Sequence, residues 1–204
     1  MVMVFSLITA LAVMFLAWLL FVYLNNAAVV DFAWSIAIFS VCLTYYLLSD
    51  KTICGLIATV AVGLWMVRLA GYLLVKRIIP GHLDQRYESM GSGWTERRNI
   101  KFLVRVYLLQ GVLAWIIGFS FYYVVSIEYY SIFFWLGIVI MLVGLLGEIA
   151  SDYQLSRYRK EPVGELCSQG LWSRSRHPNL FFDWLFWYGV AILPLNVYLG
   201  WLSL

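Results

Sequence analysis

The sequence is poor in charge. Only 12% of its 204 residues are Asp, Glu, Lys or Arg, whereas soluble domains carry about 25%. This shortage argues against an ordinary water-soluble domain. The net charge is only +3, which gives no reason to expect a nucleic-acid partner.

Metal ligands are also scarce. The only histidines are His82 and His177, and the three cysteines, Cys42, Cys54 and Cys167, are isolated from one another without a CxxC pair. A closed metal site needs several such ligands at short, regular spacings. The sequence therefore predicts no metal site.

Long apolar blocks take the place of charge, and 63% of the residues are hydrophobic. Runs of about 20 apolar residues predict transmembrane helices, and they are too long and continuous for barrel strands. We predict an all-α, polytopic transmembrane helix bundle that forms one domain over residues 1–204. Its six spans are expected at about 2–24, 27–48, 53–75, 102–125, 131–149 and 179–200. The first block lacks a basic start and is too long for a signal peptide, so we interpret it as a retained span.

The basic residues are concentrated in two segments. Of the 14 lysines and arginines, all but Lys51 and Arg68 lie in or beside residues 76–105 and 157–176. With six spans, both segments fall on the same side of the membrane. The positive-inside rule then predicts that this side is cytoplasmic and that both termini face outward.

Four ionisable residues lie within or at the ends of the predicted spans: Asp31, Arg68, Glu148 and Asp183. An ionisable side chain in a membrane is costly, so each is a functional candidate. The alternative for Asp31 and Glu148 is a position at the span end, where the carboxylate reaches water. The alternative for Arg68 and Asp183 is a buried structural ion pair.

Helical spacing arranges polar side chains in stripes on three spans. The stripes are Trp65, Arg68 and Tyr72; Glu148, Asp152 and Arg159; and Asn179, Asp183 and Trp187. Residues three, four or seven positions apart share one face of a helix. Three such stripes predict a shared polar cavity inside the bundle.

The stretch SRSRHPN at residues 173–179 precedes the last apolar run. Pro178 suits the first position of a helix, and Ser175 or His177 could cap it. The free N–H groups of a helix start, together with Arg174 and Arg176, match phosphate oxygens. We predict a site for a phosphorylated or otherwise anionic ligand here, with contact to anionic lipid headgroups as the alternative.

Motifs spread over almost the whole chain carry a family resemblance. They are VDFAWS at 30–35, LWMVRLAGYLLVKR at 64–77, LDQRY at 83–87, GEIASDYQLSRYRK at 147–160 and GLWSRSRHPNLFFDWLFWYG at 170–189. The sequence resembles an uncharacterised bacterial branch of the steroid 5-alpha-reductase-like integral membrane family, related to 3-oxo-5-alpha-steroid 4-dehydrogenase. The RHPN element alone is also similar to isoprenylcysteine and phospholipid methyltransferases. Relatives continue past the sixth span with another helix and a basic, tyrosine-bearing tail, whereas this sequence stops at WLSL.

The resemblance implies a helix bundle that holds NADPH from the cytoplasmic side of a bacterial inner membrane. The cofactor-binding residues it implies are Asp152, Arg159, Asn179 and Asp183, with Glu148, Arg68 and Tyr72 lining the same pocket. By the same resemblance, Arg176 and His177 lie beside the phosphates of the cofactor.

The implied chemistry is hydride transfer to the β-carbon of a conjugated carbonyl. In the reductases, an acidic residue of the second span and a tyrosine of the third polarise the carbonyl oxygen. Asp31 matches the acid, and desolvation in a dry cavity would favour its protonated form. Trp65 stands at the expected tyrosine position and Tyr72 lies about two turns further on, so Asp31 and Tyr72 are the predicted catalytic residues.

The predicted function is therefore NADPH-dependent reduction of a lipid-soluble enone, either steroid-like or another lipid. One alternative is a non-catalytic paralogue that binds a nucleotide or a lipid. A second alternative is an S-adenosylmethionine-dependent membrane methyltransferase. The expected partners are a lipid-soluble substrate and membrane lipids, without nucleic acid, and the oligomeric state is left open.

Overall fold

The structure is a computed structural model that describes residues 1–94, 96–160, 164 and 166–197. The described part of the chain contains helices and connections but no β-strand. The predicted all-α class is therefore confirmed.

The helices follow one another with short connections. The α-helices are α1 (Val2–Leu24), α2 (Val29–Leu47), α3 (Ile53–Leu73), α4 (Gln85–Ser92), α5 (Arg98–Phe102), α6 (Leu109–Gly118), α7 (Phe121–Val124), α8 (Ile132–Tyr158) and α9 (Pro178–Ile192). A π-helical turn, Leu74–Ile78, extends α3, and a second one, Leu103–Leu108, joins α5 to α6. A short 3-10 helix at Gly170–Ser173 precedes α9.

Within the residues that the structure describes, five stretches are long and apolar enough to cross a membrane, in agreement with the predicted polytopic bundle. They are Val2–Leu24, Val29–Leu47, Ile53–Ile78, Arg98–Val124 and Ile132–Tyr158. The sixth predicted span, 179–200, contains the 15-residue helix α9 and then turns, and its last three residues lie outside the described part of the chain. Helix α8 runs on to Tyr158, well past the predicted span end at residue 149.

Side-chain caps explain where several helices begin. Thr52 accepts a hydrogen bond from the backbone N–H of Gly55 at the start of α3. The Ser131 hydroxyl accepts a hydrogen bond from the backbone N–H of Phe134 at the start of α8. Such caps satisfy N–H groups that have no partner within the helix, which matters more where lipid replaces water.

The chain divides into two compact units, Met1–Ser126 and Ile127–Leu204, and each is described by itself. The prediction of one domain over residues 1–204 stays a prediction. In the first unit α2 contacts α1, α3 and α6. Half of its apolar window is buried, against 22% for α1, so α2 is the central helix of this unit.

In the second unit α8 and α9 pack along a row of glycines. A Cβ at Gly144 would lie 2.7 Å from the backbone nitrogen of Phe186, and a Cβ at Gly137 would lie 2.8 Å from the carbonyl oxygen of Gly189. The two backbones can approach this closely only without side chains at these positions. Small residues at the contact are the usual basis of helix association in membranes.

The segment that precedes α9 is attached to the end of α8. The side-chain oxygen of Gln154 accepts a 2.9 Å hydrogen bond from the backbone N–H of Leu171. The indole of Trp172 donates to the carbonyl oxygen of Ser151 at 2.9 Å. Gly170 has a φ of 58°, which favours glycine, and a Cβ there would meet the Gln154 side chain.

Candidate functional site

A network of charged side chains lies at the start of α2 in the first unit. One carboxylate oxygen of Asp31 accepts a hydrogen bond from the Tyr87 hydroxyl at 2.9 Å. The other forms salt bridges with the guanidinium groups of Arg86 at 2.8 Å and Arg77 at 3.1 Å. Asp31 therefore lies between two cations and one hydroxyl donor.

A second carboxylate, Asp84, binds the same two arginines. Its Oδ2 atom lies 2.7 Å from Arg86 Nη2 and 3.0 Å from Arg77 Nη1, and its Oδ1 atom accepts from Arg86 Nε at 2.9 Å. We call Asp31, Arg77, Asp84, Arg86 and Tyr87 the Asp31–Asp84 network. Its carboxylates and guanidinium groups are equal in number, so their formal charges cancel.

The network shifts the ionisation of its members outside the spans. The Arg86 side chain, by hydrogen bonding, holds the pKa of Asp84 below its ordinary value. Hydrogen bonding to Asp84 likewise raises the pKa of Arg86. Burial, reinforced by the negative charge of Asp31, raises the pKa of the Tyr87 phenol. All three shifts stabilise the protonation states that the hydrogen bonds require.

Local structure positions these side chains. Asp31 lies in the first turn of α2, where a carboxylate interacts favourably with the helix dipole. Asp84 is the N-cap of α4 and accepts from the backbone N–H of Arg86 at 3.0 Å. Arg77 lies in the π-helical turn that extends α3.

The salt bridges of Asp31 differ from the contacts that its predicted catalytic role requires. The salt bridges to Arg77 and Arg86 are contacts of a carboxylate. The predicted role of Asp31, in contrast, is that of a protonated acid that donates a hydrogen bond. In this arrangement Asp31 accepts hydrogen bonds and does not donate one. Its assignment as a catalytic residue stays a prediction.

Arg68 and Tyr72 lie one turn apart on α3, as their spacing predicts. The Arg68 guanidinium carbon is 5.6 Å from the centre of the Tyr72 ring, which is a cation–π distance. Both side chains are half-buried, whereas Trp65 of the same predicted stripe is completely buried. The proposed contact of this stripe with a cofactor stays a prediction.

The buried donors of the first unit include the indole N–H of Trp34 and the hydroxyl of Tyr107. Neither has a hydrogen-bond partner among the residues that the structure describes. Buried polar groups without partners are uncommon and deserve an explanation.

In the second unit the predicted polar stripes of α8 and α9 meet. The side-chain amide of Asn179 donates to Asp152 Oδ1 at 3.3 Å. Asp152 is 7% exposed and Glu148 is 4% exposed, while Asp183 is half-buried and has a partner. Arg159, by contrast, is the C-cap that follows α8, and its side chain is exposed. The amide oxygen of Asn179 is buried and accepts no hydrogen bond from the described residues.

The stretch SRSRHPN forms the start of α9. Pro178 is its first residue, as predicted, and His177 is the N-cap. The prediction of a side-chain cap is wrong, because His177 makes no capping bond and Ser175 accepts only from the backbone N–H of His177 itself. The side chains of Arg174, Arg176 and His177 are exposed. They are therefore available to a ligand.

One family matches the chain over most of its length. Its sequence profile, described as a protein of unknown function (DUF1295), matches residues 17–204. The chain belongs to this family. No curated protein and no solved structure matches it significantly.

In this DUF1295 chain, the sequence predicts Asp152 and Asn179 for one shared site, and the structure has them in contact. Of the Asp31–Asp84 network, the sequence predicts only Asp31 as a site residue. Arg77, Asp84, Arg86 and Tyr87 were not predicted as site residues. The available signal was LDQRY at 83–87, in which an aspartate two residues before an arginine can cap a helix and bind that side chain. Its pairing with Asp31, 55 residues away from Arg86, had no sequence signal.

Proposed function

We propose that this integral membrane protein is an NADPH-dependent reductase of a conjugated C=C bond in a lipid-soluble enone. The observation that carries the proposal is the contact between Asp152 and Asn179. The resemblance names both residues for the cofactor, and they come from separate helices. The family is generally similar to the steroid 5-alpha-reductases.

The residues of the second unit suit a dinucleotide. The buried amide oxygen of Asn179 and the carboxylate of Asp152 are acceptors, which match the hydroxyl and amide donors of a nucleotide. The exposed guanidinium groups of Arg174 and Arg176 at the start of α9 match phosphate oxygens. Glu148, Asp183, Arg159 and His177 complete the proposed cofactor residues of this unit.

Bound NADPH would supply a hydride for the β-carbon of the enone. The chain must then supply a donor to the carbonyl oxygen, where enolate charge develops, and a proton must reach the α-carbon. Tyr72 has an O–H group for such a bond, and Arg68 lies against its ring. Asp31 is an acceptor in its salt bridges, so its proposed role requires it to take up a proton first.

The charge pattern supports a location for this activity. We assign the basic segments, and with them the cofactor residues, to the cytoplasmic side of a bacterial inner membrane. A lipid-soluble substrate would enter from the bilayer.

The experiment that tests the proposal is a thermal shift of the detergent-purified protein with NADPH, and in parallel with S-adenosylmethionine. A ligand that binds only the folded state stabilises it by about 2.7 kcal/mol at 100 times its Kd, so we expect a higher Tm with NADPH alone. A shift with S-adenosylmethionine alone would support a methyltransferase instead. No shift with NADPH would overturn the proposal.

Site variants sharpen this test. Asn179→Ala and Arg176→Ala should each weaken NADPH binding about tenfold or more, because each removes a polar contact to the ligand. Asn99→Ala, which removes the same amide from an exposed position in the first unit, should bind NADPH normally. Normal binding by both site variants would contradict the assigned residues.

The salt bridges of Asp31 favour a second candidate, a paralogue that binds the nucleotide without turnover. Asp31→Asn distinguishes the two. In a reductase it should leave NADPH binding unchanged and reduce turnover of an enone substrate. Equal loss of cofactor binding and turnover would make Asp31 a structural residue. Binding of NADPH by the wild type without turnover of any enone would favour the second candidate.

A further inference from the structure

A pocket of about 480 Å³ opens at the end of α8 in the second unit. Its walls come from the last turns of α8 and from the segment before the 3-10 helix: Tyr153, Gln154, Arg157, Tyr158, Cys167, Gln169 and Gly170. Its volume is in the range of small-molecule sites, about 300–1,000 Å³. None of these residues belongs to the proposed cofactor site.

The pocket faces away from the Asp152–Asn179 pair. Successive residues of an α-helix are rotated by about 100°. Arg157 therefore lies about 140° around α8 from Asp152, and Gln154 about 200°. Helix α9 contacts the face that carries Asp152, so the pocket occupies the other side of α8.

The walls of the pocket offer more donors than acceptors. The side chains of Arg157, Tyr153 and Gln169 have no hydrogen-bond or ion-pair partner among the described residues. The one side-chain oxygen of Gln154 already accepts from Leu171, which leaves its amide N–H groups. A guanidinium group, a phenol and two amides provide several donors, which suit an anion with several oxygens.

Charge and shape narrow the class of anion. Along the sequence from residue 153 to residue 177, the basic residues Arg157, Arg159, Lys160, Arg174 and Arg176 outnumber the acidic residues Glu161 and Glu165. The planar guanidinium of Arg157 matches phosphate oxygens in a bidentate geometry. The rings of Tyr153 and Tyr158 provide an apolar wall for the organic part of a ligand.

We propose that this pocket binds the phosphate group of an organic phosphate through Arg157, with the organic part against the two tyrosines. The phosphate belongs either to an anionic lipid headgroup at the membrane surface or to a soluble anionic molecule. This site is separate from the cofactor site and does not depend on the reductase activity.

Cys167 allows the pocket to be observed directly. It lies in the wall and is half-buried, whereas Cys42 and Cys54 are buried in the helices of the first unit. A maleimide should therefore react at Cys167, and Cys167→Ser should abolish the labelling. A ligand in the pocket must slow this reaction.

The experiment measures maleimide labelling of the full chain with two probes. Phenyl phosphate is added to protein in an uncharged detergent, and nanodiscs of phosphatidylcholine are compared with nanodiscs that also contain phosphatidic acid. At ten times the Kd, labelling should slow about tenfold, because only the free site reacts. Protection by phenyl phosphate alone identifies a soluble ligand, and protection by phosphatidic acid alone identifies a lipid headgroup. Absence of protection by both probes would overturn the proposal.

Arg157→Gln is the decisive variant, and Lys160→Gln is its matched control, with the same charge change at an exposed residue outside the pocket. Arg157→Gln should raise the half-protecting concentration about tenfold or more, and Lys160→Gln should leave it nearly unchanged. Gln169→Ala tests the opposite wall and should cause a smaller loss, so the proposal stays testable if Arg157→Gln folds poorly. Equal protection of the wild type and both pocket variants would mean that the ligand does not use these donors, and the proposal would fail.

Discussion

At the scale of single residues, Asp84 connects most of the charge in the first unit. Its carboxylate binds both Arg77 and Arg86, and it also caps α4. The Asp84 side chain is 11% exposed while that of Arg86 is 66% exposed. An exposed ion pair contributes little by itself, about 0–1 kcal/mol, but here one carboxylate holds two cations and a helix start together.

The two roles of Asp84 can be separated by substitution. Asp84→Asn keeps the cap and removes the charge, and should lower the free energy of unfolding by about 1–2 kcal/mol. Asp84→Ala removes both, and should cost about 1 kcal/mol more. Unfolding of the detergent-solubilised protein by a denaturing detergent measures both values. If the two variants are equally stable, the cap at α4 contributes nothing.

The lowered pKa of Asp84 predicts a pH dependence. A carboxyl group whose folded pKa lies below its ordinary value of 3.8 contributes stability above that pH, and this contribution is lost as the pH falls through the folded pKa. The stability difference between the wild type and Asp84→Asn should therefore be constant above about pH 5 and shrink below about pH 4. Melting temperatures of both proteins across this range measure the difference. A difference that instead grows as the pH falls would contradict the lowered pKa.

At the scale of elements, the contact between α8 and α9 depends on the absence of side chains. Gly137, Gly144 and Gly189 each place a missing Cβ within 3 Å of the facing helix. The same close approach lets Asp152 on α8 reach Asn179 on α9. Packing of the two helices and the geometry of the candidate cofactor residues therefore have one cause.

A pair of glycine substitutions tests this cause. Gly144→Ala forces a methyl group against the backbone of Phe186 and should destabilise the protein by about 1–3 kcal/mol. Gly71→Ala, in α3, meets nothing within 4 Å and should stabilise it by about 0.5–1 kcal/mol, because alanine favours a helix over glycine. Thermal unfolding compares the two. Equal effects of both substitutions would mean that α8 and α9 are not closely packed.

At the scale of the whole molecule, the connections of the first unit alternate between two ends. Between α1 and α2, the side-chain amide of Asn26 donates to the carbonyl oxygen of His82 at 3.5 Å. In the same connection, the side-chain oxygen of Asn25 accepts from the Arg98 guanidinium at 3.2 Å. Thr52, between α2 and α3, contacts the backbone of Val125 at 3.4 Å. This alternation is the one that successive membrane spans require, and it collects the basic residues of 76–105 at one end.

The charge pattern predicts which end is cytoplasmic. In a Cys167→Ser background, Tyr129→Cys should react with a membrane-impermeant thiol reagent on intact cells. Ser92→Cys should react only after the cells are opened. Both positions are exposed, so access alone does not separate them. The reverse pattern would place the basic segments outside and contradict the predicted cytoplasmic cofactor site.

The sequence by itself determined the class of this protein and much of its local structure. Long apolar runs must be helices because lipid offers no partner for backbone polar groups. Pro178 marks the start of α9 because its missing N–H is not needed there. Helical spacing likewise predicts that Arg68 lies next to Tyr72. The start of α9 and this contact both depend only on neighbours within one helix.

Only the tertiary structure decided which charges pair. Asp31 looked from the sequence like an isolated acid in a dry cavity, but Arg77 and Arg86, which come from 46 and 55 residues away, both reach it. The pocket at Arg157 could likewise not be predicted from the sequence, because its second wall comes from the segment around Cys167 and Gln169. Such contacts follow from how the chain packs back on itself, and no periodicity in a single helix records them.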